Sequence, residues 1–154
     1  MCDFPTRKSL DNGLVKKMGA VMVGENLAEY AYLVVDDDEF SREFVVTVLR
    51  HLGCKAVHCA PDSDTAIVLA RQHRPDFVLL DIYMPEVDGW TFLTKLRKTM
   101  PNAAVIMITG SGRPADFKKS MAETVDGYCI KPVSPGVMLR ALEGAMLRRR
   151  GQRA

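Results

Sequence analysis

The sequence predicts an α/β fold, a three-layer sandwich with a five-stranded parallel sheet between helices. Short strand-like runs alternate five times with segments of helical period, and such alternation means a parallel sheet with helices on both sides. The runs at 32–35, 77–80 and 104–109 are almost wholly apolar and do not alternate, as strands covered on both faces require. The chain has 154 residues, enough for one domain with a real core and too few for two comfortable ones.

Residues 1–29 lack that rhythm. Arg7, Lys8, Lys16 and Lys17 are scattered among Asn12-Gly13, Gly19 and Gly24. Leu14, Met18 and Met22 suggest only a short amphipathic turn, weakened by Gly19. This part is expected to be a partly flexible N-terminal extension, the domain to occupy 30–150, and 151–154 to be a tail.

The first strand, 32–35, ends in Asp36, Asp37 and Asp38. Asp38 is the expected N-cap of a helix whose Glu39 and Glu43 suit the helix dipole. Phe40, Phe44, Val48, Leu49 and Leu52 share one face of that helix, and Gly53 ends it. A second strand is expected at 55–59. Asp62, Ser63 and Asp64 open a second helix carrying Ala66, Ile67 and Ala70, closed by Arg71, His73 and Arg74 before Pro75. The third strand, 77–80, stops at Asp81, and Met84-Pro85 and Asp88-Gly89 break regular structure behind it. A third helix uses Phe92, Leu93 and Leu96 and ends before Pro101. The fourth strand is 104–109. Pro114 fits the first turn of a fourth helix with Phe117 and Met121. The fifth strand, 127–130, ends in Lys131-Pro132, and Ser134-Pro135 start a fifth helix with Val137, Met138, Ala141, Leu142 and Ala145 inward.

Composition narrows the function. A net charge of +2 is too small to argue for a nucleic-acid or membrane partner. The longest apolar runs fall far short of a membrane span, and no secretory leader is visible. Cys2, Cys54, Cys59 and Cys129 lack paired spacing and read as small buried hydrophobes with free thiols in a reducing cytoplasm. His51, His58 and His73 show no ligand spacing and read as structural. Arg148, Arg149 and Arg150 read as a solvated complement to the last helix's C-terminus.

In a parallel sheet all strand C-termini point one way, so the residues just past them are neighbours. Strand one delivers Asp36 and Asp37, strand three Asp81, strand four Thr109 and strand five Lys131. Three carboxylates so close repel one another unless a cation joins them. Oxygen ligands in an open site suit Mg²⁺. A divalent cation, a lysine, a hydroxyl and a nucleophilic carboxylate together make a phosphoryl-transfer site.

The stretch 30–150 resembles the receiver domain of two-component response regulators, and is similar to the chemotaxis regulator. The residues that carry the resemblance are Leu33-Val34-Val35-Asp36-Asp37, Leu79-Leu80-Asp81-Ile82-Tyr83-Met84-Pro85, Asp88-Gly89, Ile108-Thr109-Gly110 and Gly127-Tyr128-Cys129-Ile130-Lys131-Pro132. It implies the flavodoxin-like strand order 2-1-3-4-5. It implies Asp81 as phospho-acceptor, Asp36, Asp37, Asp81 and the Tyr83 carbonyl as Mg²⁺ ligands, and Thr109 and Lys131 as holders of the phosphoryl oxygens. Tyr128 would be the switch aromatic, moving inward as Thr109 is drawn to the phosphate; taken alone it reads as a half-buried strand aromatic. Gly110 would leave the phosphate accessible. Tyr83 is bulky where the family often carries a polar side chain, which bears on the lifetime of the phosphorylated state.

The expected function is that of a signalling module, not an enzyme. A histidine kinase or histidine phosphotransfer protein donates to Asp81, and the face made by the fourth helix, fifth strand and fifth helix is remodelled. A downstream protein or a second copy reads that face in trans, since no output domain follows. The alternatives are an unphosphorylated receiver used for docking, or the receiver part of a longer regulator. An aspartate-based phosphatase of the haloacid dehalogenase type needs a second Asp where Tyr83 stands. A nucleotide or flavin binder needs a glycine-rich first loop, where this chain has acids.

Overall fold

The computed structural model describes residues 26–85, 87–110, 113, 115, 118–119 and 125–153. After a single 3₁₀ turn at Leu27–Glu29 come β1 (Ala31–Val35), α1 (Glu39–His51), β2 (Ala56–Ala60), α2 (Ser63–His73), β3 (Phe77–Leu80), α3 (Gly89–Thr99), β4 (Ala104–Thr109), β5 (Gly127–Ile130) and the C-terminal helix α4 (Pro135–Arg153). The five strands form one parallel sheet in the order β2-β1-β3-β4-β5, the order that the resemblance implies. Of the expected fourth helix, Pro114, Phe117 and Met121 lie outside the described residues, while Ala115, Lys118 and Lys119 are helical. The turn suggested at Leu14, Met18 and Met22 also lies outside them.

Strand side chains alternate between faces, and the sheet divides its core accordingly. Tyr32, Val34, Phe77, Leu79, Ile106 and Ile108 pack with Val45, Val48 and Leu49 of α1 and Met138, Leu142 and Ala145 of α4. Leu33, Val35, Val78, Leu80, Val105 and Met107 pack with Ala66, Ile67 and Ala70 of α2 and Phe92, Leu93 and Leu96 of α3. Both faces of the central strands are dry, which is why those runs carry no charged residue.

Caps set the helix boundaries. Asp38, Asp62 and Asp88 each accept the N–H three residues on, from Ser41, Thr65 and Thr91, satisfying a donor with no partner inside the helix. Gly53, at φ 100°, turns the chain after α1 in the left-handed region, where glycine carries no Cβ penalty.

Three expectations are corrected. Phe40 is 85% exposed, because the first turn of α1 stands past the end of β1 with no sheet beneath it. Cys59 is exposed, unlike Cys54 and Cys129, since it lies on β2 at the sheet edge. Leu27, in the 3₁₀ turn before β1, is buried, and its carbonyl accepts the Tyr32 hydroxyl at 2.8 Å. Arg149 is not solvated. Its side chain is 16% exposed and donates to Asp126 at 2.9 Å and to the Ala103 carbonyl at 2.7 Å.

Candidate functional site

Four of the five strands bring a candidate site residue to the sheet's C-terminal edge, at their last position or one past it. The Asp36 N–H donates to the Ala60 carbonyl at 3.2 Å and the Asp81 N–H to the Val35 carbonyl at 2.9 Å, and the Lys131 N–H donates to the Thr109 carbonyl at 2.7 Å. The ladder is thus carried one residue past β1, β3 and β5, locking the backbones of Asp36, Asp81 and Lys131. Carboxylate oxygens of Asp36, Asp37 and Asp81 fall within 4.8 Å of one another. The Lys131 Nζ bridges two of these acids, 2.7 Å from Asp36 Oδ2 and 3.0 Å from Asp81 Oδ2. Thr109, the last residue of β4, is fully buried.

Gly89 fixes the loop behind Asp81. Its N–H donates to the Ile82 carbonyl at 2.7 Å, and a Cβ at this position would lie 2.6 Å from the Ile82 Cα and 2.7 Å from the Asp81 carbonyl oxygen. Only a residue without a side chain allows that approach. Tyr128 stands opposite Met107 in the β4–β5 register, half-buried against the core on the α2–α3 side.

Sequence reasoning missed the residues that orient Asp36. The Ser41 hydroxyl donates to its Oδ2 at 2.6 Å, the Asp38 N–H to its Oδ1 at 2.9 Å, and Arg42 to its carbonyl at 2.9 Å. The position of Ser41 and Arg42 in the first turn of α1, directly after the acid run, was the available signal. Arg113 was also missed. It donates to the Tyr83 hydroxyl, while the Tyr83 N–H donates to Asp81 Oδ1 at 3.1 Å.

Burial pushes the Asp81 carboxyl up to about 6; Lys131 pulls against this, and the charges of Asp36 and Asp37 add to it. Burial alone would lower the Lys131 ammonium, but its hydrogen bonds to Asp36 and Asp81 outweigh that and hold it above the ordinary lysine value. One lysine therefore does not neutralise three acids. The all-oxygen donor set, left with excess negative charge, fits a hard divalent cation such as Mg²⁺.

A pH dependence follows for metal-free protein. The folded chain keeps a proton on Asp81 across the window between its ordinary value of 3.8 and about 6, where the unfolded chain has lost it. This contribution to stability is present below the unfolded value and lost as the pH rises through the folded one. The urea midpoint of the wild type, relative to Asp81→Asn, is expected to fall between about pH 4 and about pH 6 and to level off above that. An unchanged difference would show that the carboxyl titrates normally.

A model of the response regulator receiver domain matches residues 32–143. The chain belongs to the response-regulator receiver family. This receiver is 36% identical over 119 residues to the probable transcriptional regulatory protein TcrX of Mycobacterium tuberculosis, covering 77% of this chain and 50% of that protein. It is 29% identical over 110 residues to the chemotaxis protein CheY of Bacillus subtilis, covering 71% of this chain and 92% of that one. Among solved structures it is similar to the CheX–CheY–BeF₃–Mg²⁺ complex from Borrelia burgdorferi, with TM-score 0.70 and 27% identity over 76% of this chain and 89% of that chain. The receiver spans about half the length of several of the curated relatives it matches, 50% and 47% in the first two. No helix among the described residues is long and apolar enough to cross a membrane.

Proposed function

We propose that this receiver accepts a phosphoryl group on Asp81 from a histidine kinase or histidine phosphotransfer protein, with Mg²⁺, and passes the change on by contact. The observation that carries the reading is the Lys131 ammonium held between Asp36 and Asp81, at 2.7 and 3.0 Å, beside a cluster of three carboxylates. A buried acid next to a fixed cation is a nucleophile with its counter-charge in place. An Asp81 oxygen attacks phosphorus in line as the bond from phosphorus to the donor histidine nitrogen breaks, and the electron pair leaves on that nitrogen. Lys131 and Thr109 hold two of the phosphoryl oxygens. Bound Mg²⁺, held by Asp36, Asp37, Asp81 and the Tyr83 carbonyl, supplies further neutralisation of their charge. The similar CheX–CheY complex contains BeF₃ and Mg²⁺, which supports both assignments.

The phosphoryl dianion pulls on Thr109, and Tyr128, on the neighbouring strand, follows inward. The face carrying β5 and α4, with Ile130 half-exposed on it, is what a downstream protein or a second copy reads. The chain acts as a signalling module that assists its own phosphorylation and dephosphorylation, in the cytoplasm. Intact mass after incubation with acetyl phosphate and Mg²⁺ tests the reading. A phosphoryl adduct is expected on the wild type and none on Asp81→Asn. An adduct on the variant, or on neither protein, overturns it.

A further inference from the structure

At the sheet's N-terminal edge, opposite the acids, the α2–β3 and α3–β4 turns and the C-terminal part of α4 enclose a cavity of about 320 Å³. That is the small end of the range for ligand sites. Its lining is divided. Phe77, Met100 and Met146 supply buried apolar surface, and Tyr30 packs edge to face on Phe77 at 5.6 Å. Arg74, Arg149 and Arg150 supply charge, and among the described residues lining the cavity they face one carboxylate, Asp76. That carboxylate already accepts the Ala31 N–H at 2.8 Å, which ties it to β1.

Local chemistry does not explain Arg74. It is the C-cap of α2, at φ 48° and ψ 59°, with its N–H on the Ala70 carbonyl at 3.0 Å. Among the described residues it is the only non-glycine with positive φ. The left-handed region suits Gly or Asn, and any other side chain carries a Cβ penalty there. A strained residue on the wall of a cavity points to a task for its side chain. A guanidinium fork pairs through two bonds with a carboxylate or phosphate group. Arg149 is held by Asp126 at 2.9 Å and by the Ala103 carbonyl at 2.7 Å, which fixes the wall beside Arg150. A bare inorganic anion would use only the arginines, and a neutral apolar molecule only the floor. An organic acid uses both.

We propose that this cavity binds a small organic anion, a carboxylate or phosphate group on a compact apolar body, with the acid on Arg74 and Arg150 and the body on Phe77 and Met146. Phe77 begins β3 and Asp81 follows its end, so the site is separate from the acid cluster and the inference does not depend on how Asp81 reacts.

Amide NMR titrations of the full chain at constant ionic strength test this. Benzoate and phenyl phosphate are the probes; benzyl alcohol lacks the acid and acetate lacks the body. Saturable shifts are expected with the probes at the Asp76, Asn102 and Ala104 amides, with millimolar dissociation constants. The tighter probe identifies the acid group. Benzyl alcohol and acetate at the same concentrations should leave those amides in place. Arg74→Gln is expected to weaken both probes roughly three- to tenfold. Arg74→Gly should weaken them as much while unfolding at an equal or higher urea concentration, since glycine removes the left-handed penalty. That variant separates lost binding from lost folding. No saturable shift with either probe, controls that match the probes, binding unchanged in both variants, or shifts centred on Asp81 and Lys131 would each overturn the proposal.

Discussion

Replacing Lys131 by methionine is expected to destabilise metal-free protein by about 2–4 kcal/mol, and added Mg²⁺ to restore part of that. The ammonium is the neutralising group for Asp36 and Asp81, whose side chains are only 3% and 9% exposed. Removing one partner of a buried ionic contact leaves the other uncompensated, which costs more than the contact contributes net. The Lys131 side chain is 23% exposed, so the loss falls toward the lower end of the range for fully buried pairs. A cation that binds the acids only in the folded state stabilises by mass action. Urea unfolding in EDTA and across a Mg²⁺ titration measures both effects. A variant as stable as the wild type in EDTA would mean that the lysine offsets little of the repulsion. Phosphoryl uptake from acetyl phosphate should fall in the same variant, since a phosphoryl oxygen loses its fixed counter-charge.

Asp126→Asn is expected to cost about 3–5 kcal/mol while leaving Asp81 chemistry intact. Asp126 stands just before β5, at the sheet edge opposite Lys131, and its side chain is 3% exposed. One oxygen, Oδ2, accepts from the Val105 N–H at 2.8 Å, from Arg97 at 3.2 Å and from Arg149 at 2.9 Å. Both arginines also donate to the Ala103 carbonyl. Burial lowers the Arg97 guanidinium below its ordinary value, and the charge of Arg149 adds to that, with Asp126 opposing both. Without the acid, two guanidiniums, each 16% exposed, face each other unneutralised. Arg149→Met should cost less, because it leaves Asp126 and Arg97 as a neutral pair. Denaturation midpoints give the ranking, and a reversed order would show that packing of the Arg149 stem outweighs charge balance.

Strand ends were readable because an apolar run cannot carry a charge inside a dry sheet. Asp36, Asp81 and Lys131 each stand at the first position where the run stops, and parallel geometry gathers them whatever the intervening loops do. The residues that steady those groups were harder to see. Ser41 looks like any residue in a helix's first turn until its hydroxyl is found 2.6 Å from Asp36. Phe40 belongs to an apolar row along α1, yet periodicity does not say where the sheet beneath that row ends. Arg149 sits in a run of three arginines, and nothing local distinguishes it from its neighbours.

By itself, then, the sequence determined what local chemistry controls: the strand and helix periods, the aspartate caps, and the acids and lysine at the strand termini. Only the tertiary structure decided which other distant partners meet: Arg149 with Asp126, and Arg113 with Tyr83. The physical reason is reach. A cap or a period is settled within one turn of chain, whereas an ion pair between residues far apart in sequence depends on how every element between them packs.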